Sequence, residues 1–356
     1  MQRNKISFKG QKIFIGIDVH KKNWDVAIAP EIGIVKRHPQ KASAKELFDR
    51  LNKKFPGAHF KSAYEAGFCG FSAHYALTEL GFENIVVHAA DIPTTGKEKA
   101  LKTDAVDAEK IAWSLKRDEL TGIYIKDKNY MDDTNLLRLR QRFIKDLSRQ
   151  KNRTKHLLYT QGVTYPERFL KSGTHWSENF IKWLREEVVL LSEEKRTLML
   201  LCDQVEHIRK DILAVTREIR RLSTIDKYRE NFSLLSSVPG FGLITSMAML
   251  TEFDNNLMRF PNERKFVAML GLIPTCHESG EKKVSGEKIN RGNKQLGPLI
   301  VEASWVAIHR DYQLGCYYTN CCQSMKPQKA IIKVARRLAC RAYAVMKTKK
   351  PYEIQQ

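Results

Sequence analysis

The sequence predicts an α/β N-terminal domain, a helical coiled-coil middle and a mainly α C-terminal domain with a helix-hairpin-helix-like element. Three observations lead there. Short apolar runs alternate with amphipathic stretches up to about residue 127. From 131 to 230 there is hardly a glycine or a strand signal. After Phe232, glycine-containing turns separate helical patterns. The expected domains are 1–127, 128–230 and 231–356, which 356 residues can accommodate.

In the first segment, KIFIGIDVHKKNWDVAIA (12–29) reads as two short strands joined by a polar HKKN turn. GIVKRHP (33–39) is expected as a third strand. ASAKELFDRLNKKF has helical spacing, HFKSAYE reads as a strand, and GFSAHYALTELGF as a helix. NIVVHAA then forms a buried strand, and TDAVDAEKIAWSLKRDEL a helix opening with acids. Three early strands followed by alternating helices and strands predict a mixed central sheet.

The middle begins with a basic helix at about 133–161, broken by TYPERFLKSGTHW. Beyond it, Leu198, Leu201, Val205, Ile208, Ile212, Val215, Ile219 and Leu222 step by three and four alternately. That heptad seam predicts a coiled coil, either an intramolecular helical hairpin or an intermolecular pairing. In the third segment, VPGFG precedes a helix. Gly240 and Gly242 would leave backbone N–H groups free at a helix start, where the dipole favours phosphate, as in helix-hairpin-helix modules; a plain inter-helix loop would read the same. KPQKAIIKVARRLACRAYAVMKTKKP reads as an amphipathic helix with a cationic face.

Composition narrows the partners. The formal net charge is +21 at pH 7, which favours a polyanion such as DNA or RNA, or an anionic surface. No run of about 18 apolar residues exists, so a transmembrane helix is excluded. The N-terminus shows no signal-peptide core, and a cytoplasmic protein is expected. Seven cysteines without zinc-like spacing read as free thiols.

Four acids in the first segment stand where chemistry could use them. Asp18 ends the first strand and Glu65 the strand SAYE, while Asp104 and Asp107 open a helix three residues apart, on one face. Such a set of hard oxygen donors suits Mg²⁺, and two such ions can activate a nucleophile and stabilise the leaving oxygen of a phosphodiester. Singly, each acid has an ordinary role in a turn, a solvated strand end or a helix N-terminus. Jointly, their order is that of a ribonuclease-H/RuvC-like domain.

A second candidate lies in LGLIPTCHESGEKKVSGEKINRGNK (270–294), where Ser279 and Ser285 each precede a glycine in a field of lysines. Alone, this reads as a solvated basic loop. A serine attacking phosphorus needs help losing its proton and a counter-charge for the phosphorane. Lys282, Lys283, Lys288, Arg291 and Lys294 could hold neighbouring phosphates, with Gly280, Gly286 and Gly292 allowing close approach.

GIDVHKKNWDVAI, YEAGFCGFSAHYALTELG and KTDAVDAEKIAW resemble the DEDD domain of IS110-type transposases, especially the IS1111 subgroup, and of the related Piv-type invertases. VPGFGLITSMAML and the stretch from RKFVAMLGLIP to EASW resemble the family's C-terminal transposase domain. The resemblance implies that Asp18, Glu65, Asp104 and Asp107 hold Mg²⁺, with Mn²⁺ as a possible substitute, and that a serine is the nucleophile. The family's Ser-Ser-Gly reads Glu278-Ser279-Gly280 here, so the match falls on Ser279. It further implies RNA-guided cutting and rejoining of donor and target DNA, with a structured noncoding guide RNA of the bridge type. Dimers joining into a tetramer, in a prokaryotic cytoplasm and at the nucleoid, complete the implication. The alternatives are a RuvC-like structure-selective nuclease, a Piv-type site-specific invertase, or a nucleic-acid scaffold with a degenerate site; the four intact acids speak against the last.

Overall fold

The computed structural model describes residues 7–33, 35–93, 104–279, 282–288 and 292–354, with the side chains of 104–106, 274–279 and 282–288 outside that description. The chain divides into two compact units, Met1–Ile125 and Lys126–Gln356. The segments expected as middle and C-terminal domains therefore fall in one unit.

The first unit is built on a five-stranded sheet in the order β3-β2-β1-β4-β5. Its strands are β1 (Lys12–Val19), β2 (Asn23–Pro30), β3 (Lys36–Lys41), β4 (His59–Glu65) and β5 (Glu83–Val87). The hairpin β1–β2 and the pair β2–β3 are antiparallel, whereas β1–β4 and β4–β5 are parallel. This mixed sheet is compatible with a RuvC-like domain. The third strand begins later than expected, and its Pro39 is tolerated because β3 is an edge.

Strand alternation gives the sheet two different faces. Ile13, Ile15, Ile17, Trp24, Val26, Phe60 and Tyr64 are buried with Leu47 and Leu51 of α1 (Ala44–Lys54) and Leu77 of α2 (Ser72–Glu79). Ser43 starts α1 by accepting the Glu46 N–H at 3.2 Å. On the other face small residues dominate, and Ala27 and Ala29 meet Ala108 and Ala112 of α3 (Asp104–Lys116). Gly16 is the closest point, for a Cβ there would overlap the Ala108 carbonyl oxygen and the Ala112 nitrogen.

The second unit is mainly helical. α4 (Lys128–Thr160) and α6 (Ser192–Thr224) pack antiparallel, because Leu137 near the start of α4 shares a core with Val215, Ile219 and Leu222, whereas Leu158 near its end meets Leu198, Cys202 and Val205. Of the heptad positions, Leu198, Val205, Val215, Ile219 and Leu222 lie in cores shared with α4, whereas Leu201 and Ile212 are only half-buried. Between them lies α5 (Glu178–Glu186), absent from the sequence reading; it is capped by Ser177, and its Phe180 and Trp183 join Phe169 and Trp176 in an aromatic core.

Further along come α7 (Asp226–Ser236), α8 (Leu243–Glu252), α9 (Glu263–Met269), the antiparallel strands β6 (Pro274–Ser279) and β7 (Lys282–Lys288), then α10 (Leu296–Arg310), α11 (Tyr312–Cys322) and α12 (Pro327–Thr348). The β6–β7 hairpin corrects the expectation of a basic loop. Neither strand carries a regular apolar alternation, so the usual strand signal is missing. Among the described residues no helix is long and apolar enough to cross a membrane.

Two outcomes follow from this packing. Gly16→Ala is expected to lower stability by about 1–3 kcal/mol through overpacking, or more if α3 cannot shift, as read by denaturant unfolding of the full chain. Asp311 supplies a pH test: its side chain is 1% exposed and bound by Arg341 at 2.7 Å. Burial alone would raise its pKa. Hydrogen bonds from Tyr352, the Leu314 N–H and Arg341 outweigh that and hold it below the ordinary value. The stabilisation from ionised Asp311 is complete above the unfolded carboxyl's pKa of about 4 and is lost as pH falls through the lower folded value. The stability gap between parent and Asp311→Asn should therefore narrow on acidification below that point; a constant gap would contradict it.

Candidate active site and nucleic-acid interface

The acidic end of the first unit follows from strand register. Ile17 of β1 pairs in parallel with Tyr64 of β4, so Asp18 and Glu65 come next on adjacent strands and leave at the same end. Ile17 and Tyr64 both face the α1/α2 core, hence Asp18 and Glu65 lie on the α3 face.

The direction of α3 fixes the rest. Lys116, in its last turn, donates to the Pro30 carbonyl at 2.8 Å, and Pro30 pairs with Ile13 at the start of β1. Ala108 and Ala112 lie over Gly16. The helix therefore runs against β1, and its first turn, with Asp104 and Asp107, points to the Asp18 end. The Asp104 side chain lies outside the described residues.

Two neighbours escape a reading of the sequence alone. Asp25 is the direct antiparallel partner of Asp18, so the two share a face. His20 Nε2 lies 3.2 Å from an Asp18 carboxylate oxygen. Both follow from a hairpin centred on Lys21 and Lys22, so counting outwards from that turn finds them. Directly opposed carboxylates repel, and a cation is the simplest relief. Hard oxygen donors collected at one sheet end fit a hard divalent ion in their chemistry. Among the described residues, which leave out the Asp104 side chain, no three His, Cys, Asp or Glu side chains are grouped closely enough to hold a metal.

In the second unit, Ser279 is the Cα partner of Lys282 at the end of the β6–β7 ladder, and Ser285 that of Cys276 farther in. Lys282, Lys283 and Lys288 are all in β7, and Lys294 is exposed just before α10. Arg291 lies outside the described residues, as does Gly280. Gly292 has a packing role: a Cβ on it would overlap the backbone of Gly271, whose φ is +68°. The two stems of the hairpin thus touch at a glycine pair.

The hairpin root is also tied by a buried carboxylate. Glu252, whose side chain is 11% exposed, accepts from Lys126 at 2.8 Å, from Arg138 at 3.1 Å and from the Asn293 amide at 2.9 Å. Asn293 donates its own N–H to Met269 and caps the start of α10 through the Gln295 and Leu296 N–H groups. Lys126 is the first residue of the second unit; burial lowers its pKa, against the opposing pull of Glu252.

The two glycines of VPGFG behave differently. Gly240 has φ +81° and packs so closely on the Ala303 carbonyl of α10 that a side chain could not fit, which makes it a structural glycine. Gly242 is the exposed N-cap of α8, with open space where a Cβ would stand. This turn joins α7 to α8.

A transposase model of the DEDD, IS110 type matches residues 15–161, and a model described as the transposase IS116/IS110/IS902 family matches residues 232–319. The transposase for insertion sequence element IS1533 from Leptospira borgpetersenii is 23% identical over 309 residues, 83% of this chain and 85% of that protein. The transposase for insertion sequence element IS1111A from Coxiella burnetii is 25% identical over 236 residues, 66% and 63% of the two chains.

Replacing Glu252 by alanine should cost about 3 kcal/mol, the low end for breaking a buried pair, because Lys126, 10% exposed, loses its hydrogen-bonded carboxylate while Asp254 and the solvent around Arg138 offset part of the charge. Denaturant unfolding of the full chain reads this; a loss under one kilocalorie, about the worth of an exposed pair, would show that the carboxylate is not a hub.

Proposed function

This chain belongs to the IS110 family of DNA transposases, and from that premise we propose that it exchanges DNA strands by covalent catalysis, with Ser279 as nucleophile and Asp18, Glu65, Asp104 and Asp107 as a divalent-cation site. The observation that carries the reading is the convergence of two parallel strand ends and the opening turn of α3 on one end of the sheet.

Asp18 and Glu65 would hold Mg²⁺, or Mn²⁺ in its place, with the two aspartates of α3. When bound, such an ion lowers the cost of the negative charge that develops on a phosphodiester under attack. His20, beside Asp18, orients that carboxylate. In the chemical step the Ser279 Oγ–P bond forms as the P–O bond to the departing strand end breaks, and the departing oxygen takes up the proton that the hydroxyl loses. Attack on the phosphoserine by the hydroxyl of a second strand reverses these changes and frees Ser279. One phosphoester is exchanged for another at each step, so rejoining needs no external energy source.

Lys282, Lys283, Lys288, Arg291 and Lys294 bind backbone phosphates flanking the reacting bond. Gly242, at the open start of α8, lets a further phosphate approach the helix N-terminus in the manner of a helix-hairpin-helix element. A structured noncoding RNA supplies pairing to donor and target. In an assembly of two or four copies, the carboxylates of one copy serve the serine of another, and the long α4/α6 hairpin is the element available for coiled-coil contacts between copies.

The test incubates the protein with Mg²⁺, labelled DNA carrying the element ends and RNA from the flanking noncoding segment, then looks for a covalent protein–DNA adduct. Parent and Ser285→Ala should give the adduct; Ser279→Ala and Asp18→Asn should not. An adduct that persists in Ser279→Ala overturns the nucleophile, and undiminished cleavage in that variant points to hydrolysis by a metal-dependent nuclease.

A further inference from the structure

We propose that the outer face of α12 is a sequence-independent binding site for the phosphate backbone of duplex DNA, separate from the serine hairpin and outside both family-matched stretches, which end at 161 and 319. From Tyr312 to Tyr352 the chain contains nine Lys and Arg residues and no Asp or Glu. The helix is strictly two-sided. Ala330, Ile331, Val334, Ala335, Leu338, Ala339, Ala342, Val345 and Met346 are buried in the main core of the unit, whereas Lys329, Lys333, Arg336 and Arg337 are exposed.

None of those four forms an ion pair with another described residue, whereas Arg341 of the same helix, on its less exposed side, is paired with Asp311. A solvated face of an ordinary domain mixes both signs of charge, whereas the exposed charges of α12 itself are all cationic, with Glu263 of α9, beside Cys340, the acid at its edge.

Geometry narrows the ligand. Lys329, Lys333 and Arg337 stand at i, i+4 and i+8, a row inclined to the helix axis with an axial rise of about 6 Å between members, close to the rise of two base pairs along a duplex. The Arg337 guanidinium rests on the Tyr317 ring, 3.3 Å from its centroid, so this long side chain is already ordered and loses less freedom on binding. That packing also covers the ring that an unpaired base would need for stacking. A row of cations with its aromatic occupied fits a phosphate backbone better than a single strand, which binds chiefly through stacked bases.

The experiment measures fluorescence anisotropy of a labelled duplex DNA of arbitrary sequence with the full-length protein in chelator, where no strand chemistry intervenes and the proposed nucleophile plays no part. Substituting Lys329→Gln, Lys333→Gln and Arg337→Gln together should reduce the slope of log Kd against log salt by about 3, at roughly 0.9 for each phosphate that is no longer neutralised. The parent's advantage would then shrink about fortyfold between roughly 50 and 200 mM salt. The weakening should be equal on an unrelated duplex, with circular dichroism and melting unchanged. If the triple variant folds poorly, Lys333→Gln alone should lower the slope by about 1. An unchanged slope overturns the proposal, and so does a weakening confined to single-stranded DNA or to an RNA duplex.

Discussion

The close approach of α3 to β1 at Gly16 is the constraint on which the acidic end of the first unit depends. A glycine inside a strand is unfavourable by itself, since it costs backbone entropy and offers nothing to pack. Here it lets a helix backbone lie directly on the sheet, and the buried residues around it are alanines, Ala27 and Ala29 on one side and Ala108 and Ala112 on the other, with Phe14 and Val35 at the margin. Larger residues would bury more area but would lift the helix. Lifting the helix would carry its first turn, with two of the four acids, away from the strand ends that carry Asp18 and Glu65. The small residues thus favour position over hydrophobic gain.

A similar logic governs the base of the serine hairpin. Gly271 and Gly292 let two backbone segments touch, and Glu252 draws Asn293, Arg138 and Lys126 to one carboxylate. A buried ion network of this kind is a poor way to gain stability, because desolvation consumes most of the attraction. Its value is directional: a carboxylate with three donors around it has few alternative arrangements. The root of the hairpin is therefore better defined than its own sparse side chains could make it.

Much of the first unit is legible in the sequence. Apolar alternation marks the strands β1, β2 and β4 nearly to the residue, and the acids at their ends follow from spacing. Gly16 looks like an ordinary strand glycine, because nothing local shows that a helix from nearly a hundred residues later will land on it. Asp25 escapes for a related reason: its relation to Asp18 is one of register across a turn. In the second unit the heptad seam is plain, while its partner α4 is not, since a basic helix with few apolar positions leaves open which helix it covers. The β6–β7 strands are invisible in the sequence, for their pairing rests on backbone hydrogen bonds, with little apolar periodicity to announce it. Gly240 and Gly292 read as room for phosphate, yet each is filled by the chain's own backbone.

The distribution of charge bears on how a strand-exchange enzyme must work. The covalent intermediate proposed for Ser279 would preserve the energy of the broken phosphodiester but would do nothing to hold the departing strand end, which is free to diffuse. Retention has to come from contacts away from the reacting bond, and such contacts need no sequence preference. They need cations left unneutralised by the fold, on a surface rigid enough to keep its spacing. The chain carries a net charge of +21, yet it commits carboxylates to pairing cations within the second unit, at Glu252, Asp133 and Asp311. Against that background, a helix whose buried side is apolar and whose exposed charges are all cationic is what retention would require.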